Sequence, residues 1–335
     1  MLPSPVTFAK RGTYRRYTVS SARGSYSFDL LFSRARVTNL GFLLLLLVAA
    51  LSIVFNVHFL YSARHPEYVN FSALLSTITR DPSLRRLSHL IIVPGHAIWK
   101  GTNPELRLHE DQWVLEPYQM GGGRVSAFFA HILQGAELAR EDPESLLVFS
   151  GGQTRATSTT TEAESYMRLA LAADVFLSNV TPFVRATTED HALDSYQNLL
   201  FSIARFHEYT GRYPTKITVV GYEFKQARFT DLHRRALRWP MENFQYIGVD
   251  PADHHRPNLE EGERKNGYAP YSQDLYGCHS MLLSKRRQRN IHARFHSYYQ
   301  SCPELRDLID WCPNSVSSSK DGDGQLFPGK LPWDD

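Results

Sequence analysis

The sequence predicts an α/β fold, a mostly parallel sheet of about five strands with helices on both faces, behind one transmembrane helix. Three observations predict it. After residue 88, short apolar runs alternate with amphipathic helical stretches, the pattern of strands joined by crossover helices. Several of these runs end in glycine, the corner at which open α/β sheets place ligands. Near the N-terminus, Val37 to Ala63 carries no charge, and Leu40 to Leu60 is apolar enough to span about 30 Å of hydrocarbon at roughly 1.5 Å per residue.

Residues 1–36 are rich in Ser, Arg and Tyr and read as a basic disordered tail, followed by the anchor over 37–63 and a stalk over 64–88. The folded part should run over 89–311, with its core over 89–249. His89 to Val93 is the first strand, ending at Pro94-Gly95-His96, and Trp99 to Tyr118 reads as an irregular polar insert. A helix from Val125 to Arg140 leads to the strand Leu146 to Phe149 and the turn Ser150-Gly151-Gly152. A further helix ends near Ala173. Phe183 to Ala186 is expected as a short strand, Asp190 to Tyr209 as a long amphipathic helix, and Lys216 to Val220 as the fourth strand. Helix Gln226 to Arg238 and strand Phe244 to Val249 complete the core, and Leu275 to about Tyr299 is expected as a helical extension within 274–311. The polar end, 312–335, reads as disordered.

The formal charge of +3 is unevenly spread. The first 40 residues hold seven basic side chains and one acid, so the remainder is net −3. A mildly acidic folded part is a poor match for nucleic acid. Lys and Arg are dense before the apolar span and sparse after it, which puts the N-terminus in the cytosol and the large domain in the lumen. The sequons at Asn70 and Asn179 would then be available for glycosylation. An Arg- and Ser-rich, acid-poor start also suits a mitochondrial presequence, leaving the mitochondrial inner membrane as the alternative. The three cysteines lack zinc spacing. Cys302 and Cys312 are the candidate disulfide, with unpaired thiols as the other reading. Asp253-His254-His255 is a polar loop in which adjacent histidines point apart, so no metal is expected.

The candidate site is built from the corners. Gly95, Gly151 and Gly152 allow close backbone approach, and the N–H groups opening the next helix attract anions. Arg124, Lys225 and Arg228 each follow a corner at the same sheet edge and would together clamp a phosphate. His96, Glu162 and Glu189 are the candidates for proton transfer. Asp194 and Asn198 lie one helical turn apart and can share a ligand or bond each other. Ser150 lacks the G-x-S-x-G frame of a nucleophile, because Val148 stands at the first glycine position, and is read as a hydrogen-bonding strand end. GHAIWKGT does not have Walker spacing. The basic run Lys285, Arg286, Arg287 and Arg289 reads as a solvated helix face.

In this order the corners PGH, GGGR, SGGQTR and GYEFKQAR resemble the family of unknown function that includes the bacterial envelope proteins SanA and ElyC and the cytosolic YdcF. The resemblance covers His89 to Val249 and implies a Rossmann-like fold acting on or holding a charged small molecule. It implies a link to envelope and lipid-carrier metabolism, or an S-adenosylmethionine-like ligand. The family's glycine turn falls on Ser150, Gly151 and Gly152, and its next acid on Glu162. Its polar helix falls loosely on Glu189, Asp194 and Asn198, and its His-x-x-Arg on Lys225 and Arg228, with Lys in place of His. His96 fills the place of a second glycine in the first turn. Two functions follow as expectations: an enzyme acting on a phosphorylated or other anionic small molecule, lipid- and sugar-linked ones included, or a module that binds a nucleotide- or S-adenosylmethionine-like ligand without chemistry. A purely structural membrane protein is the third.

Overall fold

The computed structural model describes residues 34–64, 75–121, 123–177, 182–251, 256–314 and 326–334, in two units divided after Asn70. Asn70, Asn179 and the Asp253-His254-His255 loop lie outside the described residues. The first unit contains helix α1, Arg34–Arg64. Within it Thr38–Tyr61 is 24 residues long with mean hydropathy 2.7, long and apolar enough to cross a membrane.

The second unit is organised by a parallel five-stranded sheet: β1 (His89–Pro94), β4 (Ser145–Ser150), β5 (Ala186–Glu189), β6 (Lys216–Gly221) and β7 (Phe244–Gly248). Two-residue strands β2 (Ile98–Trp99) and β3 (Trp113–Val114) form a separate antiparallel pair. The sheet order is β5-β4-β1-β6-β7. The chain therefore starts at the centre, moves outward to one edge, and recrosses to fill the other. Every residue of β1 and β4 is buried, so their sequences are continuous apolar runs rather than alternating ones.

The two-residue strand period sorts these side chains into two cores. Leu90, Ile92, Leu146 and Val148 pack with Leu199, Leu200 and Ile203 of α4 (Ser195–Thr210). On the opposite face, Ile91, Val93, Leu147 and Phe149 pack with Phe128 and Ile132 of α2 (Arg124–Glu141) and Tyr166 and Leu169 of α3 (Glu162–Ala172). The connection leaving β1 thus covers one face, and the segment leaving β6, through Phe229 and Leu232, covers the other. The crevice between the C-terminal ends of β1 and β6 is the topological switch point.

Several expected boundaries move, each for a physical reason. The third core strand is Ala186–Glu189 rather than Phe183 to Ala186, and its ATTE sequence reflects an edge position. Helix α4 starts at Ser195, because extended Asp194 caps it by accepting from the Gln197 amide. The insert after β1 is not wholly irregular, since the β2–β3 pair buries Trp99 and Trp113. In place of one helix over Gln226 to Arg238 there is a 3₁₀ turn, a π-helix over Arg228–His233 and a short α-helix over Arg234–Ala236. The expected extension is broken into α6 (Ser280–Arg289) and a short helix, Tyr298–Ser301, with α5 (Arg256–Glu263) preceding both. The domain also begins inside the expected stalk, where Leu84 and Leu87 are buried and Arg80 donates to the Glu208 carbonyl at 2.8 Å. Part of the expected disordered end is packed: Phe327 and Leu331 are buried, and Arg238 pairs with Asp334 at 2.6 Å.

The disulfide joins Cys278 to Cys312, with Cα atoms 5.9 Å apart, and not Cys302 to Cys312. Cys302 is fully buried against α4, its thiol 3.3 Å from the Ala204 carbonyl, and so faces the core rather than its neighbour in sequence.

Candidate functional site

Pro94, Gly95 and His96 leave β1 next to the turn that ends β4. The Gly95 amide donates to the Ser150 carbonyl at 2.7 Å. A Cβ on Gly95 would lie 2.5 Å from Glu162 Cβ, so only glycine lets α3 approach this closely. The turn Ser150-Gly151-Gly152 does not offer its helix to an anion. Gly152 and Gly151 carbonyls accept the Glu162 and Ala163 amides at 3.1 and 3.0 Å, and the Thr161 hydroxyl accepts the Glu164 amide. With those donors used internally, α3 lacks the free N–H groups that the sequence suggested.

Ser150 and Glu189 form a closed polar knot behind this turn. Ser150 Oγ lies 2.8 Å from Glu189 Oε2 and 3.0 Å from Asn198 Oδ1. Glu189 also accepts from the His191 amide at 2.8 Å and the Tyr298 hydroxyl at 3.1 Å. Burial pushes its carboxyl up to about 7, against hydrogen bonds that favour the charged form. Glu189 is wholly buried and, among the described residues, stands outside the lining of the switch-point cavity, and its hydrogen bonds tie β5 to Ser150, His191 and Tyr298. Ser150, Gly151 and Gly152 likewise stand outside the cavity lining.

At the switch point lies a cavity of about 660 Å³. It brings together eight of the residues singled out in the sequence: Gly95, His96, Arg124, Glu162, Asp194, Asn198, Lys225 and Arg228. Among the described residues six cationic side chains line it, the other three being Arg155, Lys285 and Arg289, against the carboxylates Glu162, Asp194 and Glu263. Much of this charge is already paired. Arg228 Nε is 3.1 Å from Glu263, and Arg155 is 3.0 Å from Glu116. Asp194 is bound to Arg286 at 2.5 Å and caps α4, which makes it a structural anchor instead of a free ligand group.

Lys225 differs. Among the described residues no carboxylate lies within ion-pair distance of it; its ammonium is 3.4 Å from His96 Nδ1 and 5.2 Å from the Tyr222 ring centroid. Burial, then the charge of Arg228, push it down to about 7. Burial also holds His96 well below the usual imidazole range, with Lys225, His131 and Arg228 adding to it. The His96 ring is fixed by packing, stacked on Tyr222 at 5.1 Å between centroids and edge-on to His131 at 5.5 Å. A neutral imidazole beside a lysine poised between its two forms can pass a proton within the cavity.

Sequence reasoning missed Arg155, Lys285, Arg289 and Glu263. The basic run is a solvated face only at Arg287, which is exposed; Arg286 is inward and paired, while Lys285 and Arg289 line the cavity. Their i, i+4 spacing was the available signal, since it sets two cations on one face of α6. Arg155 sits five residues after Ser150, within the quoted corner SGGQTR.

No family model and no solved structure matches the chain. It is 30% identical over 296 residues to the uncharacterized protein YOR238W of Saccharomyces cerevisiae, an alignment covering 73% of this chain and 96% of the yeast protein. At that identity and coverage, the chain belongs to the family of yeast YOR238W.

Proposed function

We propose that this chain is a membrane-anchored α/β protein whose C-terminal domain acts on a phosphorylated small molecule held at the switch point. The observation that carries the reading is Lys225, a cation in the cavity without a carboxylate partner among the described residues, flanked by Arg228 and His96. A buried cation is costly unless paired, and a dianionic phosphate supplies the missing partner. Arg124, Lys285 and Arg289 extend the same field across a volume larger than one phosphate group needs. Gly95 lets the chain pass close beside the ligand, the cations offset its charge, and His96 with Lys225 moves the proton. The likeness to the SanA, ElyC and YdcF family supports the same class of ligand. Lysine in place of that family's histidine favours one second reading, a module that binds a nucleotide- or S-adenosylmethionine-like ligand without turnover.

The test is thermal unfolding of the full chain in detergent with inorganic phosphate, sugar phosphates, nucleotides, polyprenyl phosphates and S-adenosylmethionine. Phosphorylated compounds should raise the midpoint, a ligand at 100 times its Kd stabilising by about 2.7 kcal/mol. A shift with S-adenosylmethionine alone would move the assignment to the second reading.

The excess of Lys and Arg before the span favours a cytosolic N-terminus and a lumenal domain, and the Cys278–Cys312 bond fits an oxidising compartment. In sealed microsomes the domain should resist added protease, and Cys278 and Cys312 should resist alkylation until reduced. Digestion of the domain without detergent would reverse this orientation.

A further inference from the structure

A second polar pair, separate from His96 and Lys225, joins a residue of the cavity wall to a buried histidine behind it. Ser195, the first residue of α4, contributes to that wall, and its Oγ lies 2.8 Å from Nε2 of His233. That is the spacing of a hydroxyl nucleophile and its base. His233 has no exposed surface, and its Nδ1 has no hydrogen-bond partner among the described residues. The ring is held by edge-on contacts to Tyr271 and Phe229, with centroids at 4.5 and 5.2 Å. Packing, not a carboxylate, therefore fixes its direction toward Ser195.

The backbone supports a purpose for this placement. His233 closes the π-helix that begins at Arg228, and π segments recur at functional sites because they carry side chains a regular helix would aim elsewhere. One short element thus supplies both a cavity cation and the imidazole. Ser195 stands at the positive end of a 16-residue helix, which favours charge developing on an oxygen there. Ser150, at the end of β4, is sealed between Glu189 and Asn198.

We propose that Ser195 is a nucleophile and His233 its general base, so that the phosphoryl group passes through Ser195 on its way to water. The inference rests on the phosphorylated-ligand reading for its substrate class, and deepens it from binding to covalent catalysis. With the His233 proton on Nδ1, Nε2 takes the hydroxyl proton as Ser195 Oγ bonds to phosphorus. The bond from phosphorus to the leaving oxygen breaks, and that oxygen takes a proton from the Lys225 ammonium. Water then attacks phosphorus and gives one proton to the Lys225 amine. The bond to Oγ breaks, and Oγ recovers its proton from His233 Nε2. The net change is hydrolysis of a phosphate ester to an alcohol and inorganic phosphate, with every residue restored.

A fluorophosphonate tests this without knowledge of the substrate, since an activated serine displaces its fluoride and keeps the phosphonyl group. The full chain in detergent is treated with a biotinylated fluorophosphonate and the adduct is located by peptide mass spectrometry. The expected result is one adduct, on Ser195, absent in Ser195→Ala and formed about 100-fold more slowly in His233→Gln, the low end of general-base contributions. The site of the wild-type adduct needs no variant, so a folding defect in His233→Gln leaves the test intact. No adduct on Ser195, in a sample that inorganic phosphate still stabilises, overturns the proposal while sparing the anion site. An adduct formed equally fast in folded His233→Gln also overturns it. A His233-dependent adduct in a chain indifferent to phosphate upholds the nucleophile and removes the phosphate reading instead.

Discussion

Lys225→Met is expected to weaken binding of inorganic phosphate by about 10- to 100-fold while making the free protein more stable. The first effect follows from loss of a charge-assisted contact, worth about 1.5–3 kcal/mol. The second follows from the lysine's displaced titration. Its folded value is about 7 and its ordinary value 10.5. Between these values the unfolded chain holds a proton that the folded chain has released, so stability rises with pH across this window. Below the lower value the full cost of the buried charge is present, and near it most of that cost remains. Methionine fills the space without it, and the gain at neutral pH is on the order of 1–3 kcal/mol once solvent screening is allowed for. Opposite signs for binding and stability mark a group placed for a ligand. The same linkage requires proton uptake when an anion binds at pH 8, because the ligand draws Lys225 back to its charged form. Sulfate, which does not titrate there, is the clean probe. Calorimetry in buffers of different ionisation enthalpy should show uptake in the wild type and none in Lys225→Met. Unchanged phosphate affinity in this variant would remove Lys225 from the site.

What the sequence made legible follows the physics of burial. Strands β1, β4 and β6 are readable because a strand covered on both faces must be continuously apolar. The edge strand β5 was misplaced because ATTE meets no such demand, while Phe183 and Val184 nearby look more like a strand. The trio Arg124, Lys225 and Arg228 was legible because each follows a corner of a parallel sheet, and parallel strands bring their corners to one edge. The glycine turn after β4 was recognisable as a turn, but not its use. Whether helix N–H groups face a ligand or are consumed by the two preceding carbonyls depends on how the loop folds back, which no local pattern encodes. Lys285, Arg289 and Glu263 arrive from the C-terminal segment, and only tertiary structure brings them over the switch point. Cysteine pairing fails for the same reason: three cysteines permit three pairings, and closeness in sequence favoured Cys302, which the core occupies.

Asp194→Ala should produce the largest loss of stability, about 3–5 kcal/mol, because it leaves the Arg286 guanidinium enclosed without its counter-charge. Asp194 performs two tasks at once. Oδ1 accepts the Gln197 amide and caps α4, while Oδ2 receives Arg286 Nε, which arrives from 92 residues away. Arg286 also donates to the Tyr276 carbonyl, so this pair seats the helix that carries Lys285 and Arg289 over the cavity. The opposing charge raises Arg286 and lowers Asp194 even though burial pulls each the other way, the behaviour of a well-formed enclosed ion pair. In a domain of this size the unfolding midpoint should fall by roughly 10 °C. Asp194→Asn keeps a capping oxygen but not the charge and should fall between the two, and pairing Asp194→Ala with Arg286→Met should recover part of the loss, since no bare charge then remains inside. Phosphate affinity should drop with α6 loosened, but only as a consequence of the fold. A direct ligand contact would behave differently, losing affinity at an unchanged midpoint. Denaturant unfolding of the three variants, with phosphate titrations on each, separates these cases, and an undisturbed midpoint for Asp194→Ala would return Asp194 to the ligand.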